Sequence, residues 1–380
     1  MPVEFIGWTS PQVSSEIMPA TGPVFSSEVL AHTARVHEAA GFDRVLIGYF
    51  THGADGFMIG AHTAAVTERL GLLLAHRPGF IAPTLAARKL ATLDQLSGGR
   101  LALHVIAGGG DADQACDGDF VDHDARYRRG DEYVHLMRRM WTETQPFDHE
   151  GEFYRALGAH STIRCRQEPH IPLYGGGGSD AAVDSLAPHL DTYMLWGEPL
   201  ADTRVFMARV RDAAAQWGRT PTFSVSTRPI LADTEDAAWE RAHRILDQIR
   251  QSQWAQAASK RRVENVGSQR LLDVANRRDV HDTCLFTPLA TATGAPGNST
   301  ALVGTPQTVA DALVAYYELG ATKLLIRGYD PLNDAEDYGR ELIPLVRERV
   351  AAIDRRRQPP SASQASAATG SPTISIAGER

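Results

Sequence analysis

Short apolar runs alternate with amphipathic segments through most of the chain. The near-continuous apolar character of residues 101–107 is typical of a parallel strand buried on both faces. We expect eight strands, at residues 3–8, 44–49, 70–76, 101–107, 172–174, 192–196, 222–232 and 323–327.

Segments with helical spacing of apolar residues separate the predicted strands. Residues 83–96 begin with a proline and end before a glycine pair, and 305–319 lie between Thr-Pro and Gly in the same way. Residues 26–40 and 331–350 are also predicted helices. This alternation favours a (β/α)8 TIM barrel, which takes ~200 to over 400 residues. A doubly wound sheet is the alternative, although its G-x-G-x-x-G motif is missing from the first crossover.

Two segments interrupt the repeat and are predicted to be insertions after barrel strands. One covers about 108–170, and the other, polar and Gly/Thr-rich, covers about 258–304. We therefore expect one domain, 1–355, with both insertions at the C-terminal face, where active sites of barrels lie. The second insertion is interpreted either as a lid that becomes ordered with ligand or as a static subdomain or oligomer contact. Residues 356–380 are predicted to be a disordered tail.

Composition narrows the class of protein. Of 380 residues, 43% are hydrophobic and 22% are charged, which excludes a mostly disordered chain. The net charge of −8 gives no basic footprint for nucleic acid. No apolar run approaches the ~20 residues of a membrane span, and no export signal is recognisable. Three widely spaced cysteines suit a reducing cytoplasm, and no metal site is predicted.

The clearest chemical motif is the glycine run 175–178, followed by Ser179 and Asp180. It lies between a predicted strand and a predicted helix, where free backbone N–H groups and the helix dipole favour a phosphate. A tight glycine turn is an equal alternative, because the run does not have P-loop spacing. The acidic stretch 111–124 fails the ligand pattern of a calcium loop and is interpreted as a solvated loop.

A series of segments, taken in order, resembles the bacterial luciferase-like flavin-dependent monooxygenases, and within them the alkanesulfonate monooxygenase branch. The resemblance covers roughly residues 3–350. The segments are 82–108 (APTLAARKLATLDQLSGGRLALHVIAG), 122–127 (DHDARY), 172–180 (PLYGGGGSD), 193–199 (YMLWGEP), 300–304 (TALVG) and 328–329 (GY).

The resemblance implies a TIM barrel that binds reduced FMN, delivered by a separate NAD(P)H-dependent flavin reductase, and that uses dioxygen. His104 matches the position beside the flavin ring. The positions that contact the phosphate correspond to Tyr127, Gly177, Gly178 and Ser179. We expect a cytoplasmic homodimer or homotetramer that acts on a small molecule and binds neither nucleic acid nor membrane.

Departures from the alkanesulfonate branch lie around the substrate. That branch carries a cysteine after the second strand, where this chain has Gly53. Its Arg-x-His pair on the seventh strand is replaced by Ser226 and Arg228, and its arginine before Thr-Ala-Leu-Val-Gly is replaced within residues 294–299 (GAPGNS). The flavin platform is thus retained while the sulfonate-handling residues differ.

The predicted reaction is oxidation of a small substrate, with C–S bond cleavage of a sulfonate or sulfone preferred. The predicted catalytic residues are Arg228, Tyr329 and Trp196. The predicted substrate-binding residues are Trp8, Arg77 and Arg327. Guanidinium groups at strand ends suit an anionic substrate or developing charge, and ion pairs between loops are the alternative for each arginine. Hydroxylation or Baeyer–Villiger oxidation of a larger substrate, deazaflavin-dependent hydride transfer and non-enzymatic flavin binding are the alternative functions.

Overall fold

Eight parallel strands close into a barrel in the computed structural model, which describes residues 2–107, 110–252, 263, 265–297 and 299–357. The barrel strands are β1 (Glu4–Thr9), β2 (Arg44–Ile47), β3 (Gly71–His76), β4 (Leu101–Val105), β7 (Leu173–Gly175), β8 (Thr192–Trp196), β9 (Thr222–Leu231) and β13 (Ala321–Ile326). Successive strands pair in parallel, and β13 pairs with both β9 and β1. The (β/α)8 prediction is confirmed, and the closed sheet rules out the doubly wound alternative.

Helices separate the barrel strands, and every strand bound lies within two residues of its prediction. The helices are α1 (Ser27–Ala39), α2 (Gly56–Val66), α3 (Pro83–Leu96), α4 (Asp111–Cys116), α5 (His123–Thr142), α6 (Asp180–Leu186), α7 (Leu200–Ala215), α8 (Glu235–Gln251), α9 (Val266–Arg277), α10 (Pro288–Thr293), α11 (Pro306–Leu319), α12 (Asn333–Asp337) and α13 (Ile343–Arg357). A π-helical turn, Tyr338–Leu342, joins the last two, so the predicted helix 331–350 is interrupted. Among the described residues, no helix is long and apolar enough to cross a membrane.

The segment predicted as the first insertion contains α4, α5 and a hairpin of β5 (Phe147–Glu150) and β6 (Arg155–Ala159). The segment predicted as the second contains α9, β10 (Val280–His281), β11 (Leu285–Phe286), α10 and β12 (Ala301–Gly304). Within that segment, residues 258–262, 264 and 298 lie outside the described residues. The predicted tail also lies outside them from residue 358 onward.

Strand β9 divides between two sheets, which the sequence pattern did not indicate. Its residues 223–227 pair with β13 inside the barrel, whereas residues 228–231 pair with β12, which continues antiparallel to β11. Arg228 therefore stands at the point where β9 leaves the barrel.

The barrel interior is filled below its C-terminal end. An ion pair of Arg44 Nε with Glu4 Oε1 (2.9 Å) and a hydrogen bond from Lys323 Nζ to Thr222 Oγ1 (3.0 Å) close the bottom. Above them lies an apolar layer of Ile6, Leu46, Leu73, Ala102, Tyr174, Met194 and Leu325. Space for chemistry is therefore at the C-terminal mouth, as in other TIM barrels.

Candidate functional site

Most of the predicted site residues lie at the C-terminal mouth of the barrel. They stand at or just beyond the ends of their strands: Trp8 on β1, Arg77 after β3, His104 on β4, Trp196 on β8, and Arg327 and Tyr329 after β13. Trp196 pairs in register with Ser226 of β9. The closed sheet thus brings residues far apart in sequence to one end.

The predicted phosphate-binding residues Tyr127, Gly177 and Ser179 come together beside the start of α6. Ser179 caps this helix, because its hydroxyl accepts a hydrogen bond from the N–H of Ala182 (3.1 Å). The Tyr127 hydroxyl lies near the Ser179 side chain, and Tyr193 donates to the Gly177 carbonyl (2.8 Å).

Gly177 has no room for a side chain. A Cβ atom there would lie 2.5 Å from Ala182 Cβ and 3.1 Å from the Tyr127 hydroxyl. Burial raises the pKa of Tyr127, although the nearby Ser179 side chain and the charge of Arg126 oppose the rise. Tyr127 is therefore a protonated hydroxyl beside a close-fitting glycine backbone, a donor set that fits a phosphate.

His104 faces the barrel interior, since it follows the interior residue Ala102 at the two-residue period of a strand. Its Nδ1 atom is buried and has no hydrogen-bond partner in the described part of the chain. Burial lowers the pKa of His104 to about 4, so the ring is neutral at pH 7. A neutral imidazole with a free nitrogen can hydrogen-bond a polar ring edge.

We expect the protein to lose stability between pH 6.5 and pH 4, because burial lowers the pKa values of His37, His76 and His104 to about 4. Below pH 6.5 the unfolded chain binds protons that the folded chain refuses, so folding is penalised by up to about 1.4 kcal/mol per pH unit for each histidine. Thermal midpoints measured across this window will show the loss. In His104→Asn, the slope of the free energy of unfolding against pH between pH 4 and 6.5 should be smaller by the equivalent of one bound proton. An unchanged slope would contradict the lowered pKa of His104.

Arg228 is enclosed in a buried ion pair. Its Nη1 donates to Glu16 Oε1 (2.7 Å), its Nη2 donates to the Gly328 carbonyl (2.9 Å), and its guanidinium lies 3.5 Å from the ring centre of Tyr329. Burial works to raise the pKa of Glu16, but the charge and hydrogen bond of Arg228 outweigh it and hold that pKa below its usual value. These contacts favour the alternative given above for each arginine, an ion pair between loops, over a guanidinium that is free to donate to a substrate.

Glu16 was missed by sequence reasoning. It is the only carboxylate in the otherwise uncharged stretch 10–25, between β1 and α1, and that isolation was the available signal. The loop is fixed from the opposite side as well, because Ser15 donates to the Tyr329 carbonyl (2.5 Å). Burial raises the pKa of Tyr329 far above its ordinary value, so its hydroxyl stays protonated.

Among the described residues, no carboxylate forms an ion pair with Arg77 or Arg327. The Arg77 guanidinium lies 4.5 Å from the ring centre of Tyr49, and that of Arg327 lies 5.0 Å from the ring centre of Trp8. In both arginines Nε is buried without a hydrogen-bond partner. Burial and the nearby charge of Arg228 lower the pKa of Arg327 to about 10, so it remains charged at neutral pH.

A surface groove of about 580 Å³ lies beside the loop that follows Arg77. It is lined by Gly79, Phe80, residues 117–121 and Arg129. Phe80 stacks on the ring of Tyr49, with ring centres 6.2 Å apart, and the Arg77 guanidinium lies over the same ring. Phe80 of the groove and Arg77 are thus linked through their contacts with this one ring.

The acidic stretch 111–124 is tied to arginines and to backbone. Asp111 pairs with Arg126, Asp119 pairs with Arg129, and Asp122 caps α5 by accepting from the N–H of Ala125 (2.9 Å). Among the residues that the structure describes, no three metal-ligating side chains group together.

The family model of luciferase-like monooxygenases matches residues 3–323. The chain therefore belongs to this family of flavin-dependent oxidoreductases, which confirms the family predicted from the sequence segments. The alkanesulfonate branch within it stays a prediction.

Solved structures with this fold have diverse activities. The fold is similar to that of EDTA monooxygenase (EmoA) from Chelativorans sp. BNC1, with 18% identity, TM-score 0.73 and coverage of 92% of this chain and 94% of that one. Riboflavin lyase (RcaE), solved with modified FMN and riboflavin, has 21% identity, TM-score 0.72 and 92% coverage of both chains. An F420-dependent secondary alcohol dehydrogenase has 16% identity, TM-score 0.67 and coverage of 91% and 99%. Identities this low establish the fold alone.

Proposed function

We propose that this protein is the oxygenating component of a two-component FMN-dependent monooxygenase. The observation that carries the proposal is the phosphate cradle of Tyr127, Gly177 and Ser179 at the same barrel end as the unpartnered Nδ1 atom of His104. A phosphate donor set and a ring-binding imidazole at one mouth are the two contacts that a flavin mononucleotide needs.

When bound, reduced FMN would supply the electrons that activate dioxygen. The residues of this chain hold and orient the cofactor and exclude water. Tyr127, Ser179 and the backbone of Gly177 and Gly178 would hold the phosphate, and His104 would hydrogen-bond the ring. Trp196 would form one wall of the reaction pocket. A diffusible NAD(P)H-dependent flavin reductase would deliver the reduced cofactor.

The reaction we propose is C–S bond cleavage of a small sulfonate or sulfone, of which the sulfonate is an anion and the sulfone is neutral. Arg77 and Arg327 support the sulfonate, because each keeps a buried Nε without a partner and forms no ion pair in the described chain. An unpaired buried charge is costly, so an anionic ligand at these groups would offset that cost.

The test is oxygen-dependent product formation from sulfonates, sulfones and ketones, with reduced FMN regenerated by a flavin reductase. We expect sulfonates or sulfones to be converted and neutral ketones to be poor substrates. Conversion of ketones alone would replace the proposal with Baeyer–Villiger oxidation.

Deazaflavin-dependent hydride transfer is the second function to be tested, because an F420-dependent alcohol dehydrogenase shares this fold. The same preparation is incubated anaerobically with reduced deazaflavin or oxidised deazaflavin and an alcohol. Consumption of the deazaflavin without oxygen would favour this alternative, and consumption of oxygen with reduced FMN would favour the monooxygenase.

Arg77→Gln is expected to raise the KM for the anionic substrate at least about tenfold, because a charge-assisted hydrogen bond contributes roughly 1.5 to 3 kcal/mol. FMN affinity should stay near that of the parent, since Arg77 contacts Tyr49 and Thr51 and not the phosphate cradle. Steady-state kinetics with the best sulfonate provide the measurement. An unchanged KM would place the anion elsewhere at the mouth.

A further inference from the structure

Helix α9, from the second predicted insertion, lies directly against the phosphate cradle. A Cβ atom on Gly178 would lie 3.2 Å from the backbone nitrogen of Gly267 and 3.3 Å from Cδ of Arg270. A Cβ on Gly267 would in turn lie 2.8 Å from the ring of Trp196. The first turn of α9 therefore covers both the cradle and one wall of the pocket.

Arg270 reaches from this helix to a carboxylate beyond β8. Its Nε donates to Glu198 Oε1 (2.8 Å), and its Nη2 donates to Glu198 Oε2 (2.5 Å). Glu198 is buried, whereas about a third of the Arg270 side chain remains exposed. The guanidinium of Arg270 is thus paired with a carboxylate, while the aliphatic part of its side chain passes the glycine run where a phosphate would lie.

We propose that Arg270 is a further residue of the cofactor phosphate site and that Glu198 is the counter-ion which competes with the phosphate for it. The proposal rests on the proposed flavin function. A guanidinium binds carboxylate and phosphate with the same two-pronged geometry, so a phosphate at the glycine run can compete for Arg270, against the cost of leaving the buried Glu198 carboxylate without its partner. Binding of the phosphate would thereby fasten α9 over Trp196.

This assignment makes the protein selective for flavins that carry a phosphate. The two members of the pair then have opposite effects. Removing the charge of Arg270 weakens FMN, whereas removing the charge of Glu198 frees Arg270 and strengthens FMN. Riboflavin lacks the phosphate, so its affinity should stay the same when the charge of Arg270 or of Glu198 is removed.

The test measures binding of oxidised FMN and riboflavin to the full chain by fluorescence titration. Arg270→Gln should weaken FMN at least about tenfold, and Glu198→Gln should strengthen it, with riboflavin changing less than about twofold in both. Arg244→Gln is the matched control, because Arg244 lies on another helix, α8, and pairs there with the exposed Glu240. That variant should bind both ligands like the parent.

The outcomes separate the two proposals. Equal weakening of FMN and riboflavin in both variants would show that the pair only fastens the helix, and unchanged FMN affinity in Arg270→Gln would remove Arg270 from the site. Either result leaves the flavin function standing if the parent still prefers FMN over riboflavin. A parent that binds neither flavin, oxidised or reduced, would overturn the flavin function itself. Thermal midpoints of all variants provide the check on folding.

Discussion

Replacing Ser179 with aspartate is expected to weaken FMN binding by ~1 to 4 kcal/mol, which is between about fivefold and about a thousandfold in affinity. The added carboxylate would stand beside Gly177 and Tyr127, where the cofactor phosphate is proposed to lie. Like charges at contact repel, and the screening by solvent decides where in that range the loss falls. Anaerobic titration with reduced FMN measures the effect.

Position 179 allows a control that separates the effect of charge from that of side-chain shape. Ser179 caps α6, and both aspartate and asparagine are good N-cap residues, so neither substitution should cost the helix much stability. Ser179→Asn has nearly the same shape as Ser179→Asp without the charge. We expect the asparagine variant to bind FMN far better than the aspartate variant, and equal affinities in the two would place the phosphate elsewhere.

The barrel could be predicted from the sequence because its signal is local. Each strand is a short apolar run, and helix α11, for example, is marked by Pro306 at its first position and by Gly320, which adopts φ = 112° just after its end. Such signals depend on a few neighbouring residues. Their order along the chain then restricts the topology to parallel βαβ units.

The phosphate cradle was partly predictable for the same reason. The glycine run and the capping residue Ser179 are adjacent in sequence, whereas Tyr127 is 52 positions away and was placed there only by family resemblance. Glu198 lies within the family-like segment 193–199 but received no role from it, and Arg270 gave no signal, because the contacts of both depend on where α9 packs. Packing of an insertion against the mouth is a long-range property that periodicity does not contain.

The C-terminal mouth of the barrel also shows that an arginine at the end of a strand cannot be assigned a role from its position alone. From their positions at strand ends, the sequence predicts Arg228 as a catalytic residue and Arg77 and Arg327 as substrate-binding residues. In the fold, Arg228 is neutralised by Glu16, which lies 212 positions away along the chain, whereas the other two form no ion pair with a described carboxylate. The partner of each arginine is fixed only by the fold, and for Arg228 it is fixed where β9 leaves the barrel beside the loop of Glu16.

Arg228→Met is expected to destabilise the protein by ~3 to 5 kcal/mol, because it leaves the buried carboxylate of Glu16 without its partner. The pH dependence has a definite sign. In the parent the pKa of Glu16 is lowered, so the contribution of the pair is present above the ordinary value of 4.5 and is lost as the pH falls through the lowered pKa. In the variant burial works to raise the pKa of Glu16 and the charge of Arg327 still opposes it, so the difference in free energy of unfolding between parent and variant should narrow as the pH falls toward and below 4.5.

A double variant separates a structural role of Arg228 from a catalytic one. Replacing Arg228 and Glu16 together by methionine removes both charges, and burying two apolar side chains of similar size should recover most of the lost stability. If the pair only anchors the loop of Ser15 to Tyr329, turnover per folded molecule should then stay near that of the parent, with FMN affinity unchanged. Restored stability with turnover reduced a hundredfold or more would instead establish Arg228 as a donor to the reacting groups, since one such donor is typically worth about 2.7 to 4 kcal/mol in the barrier.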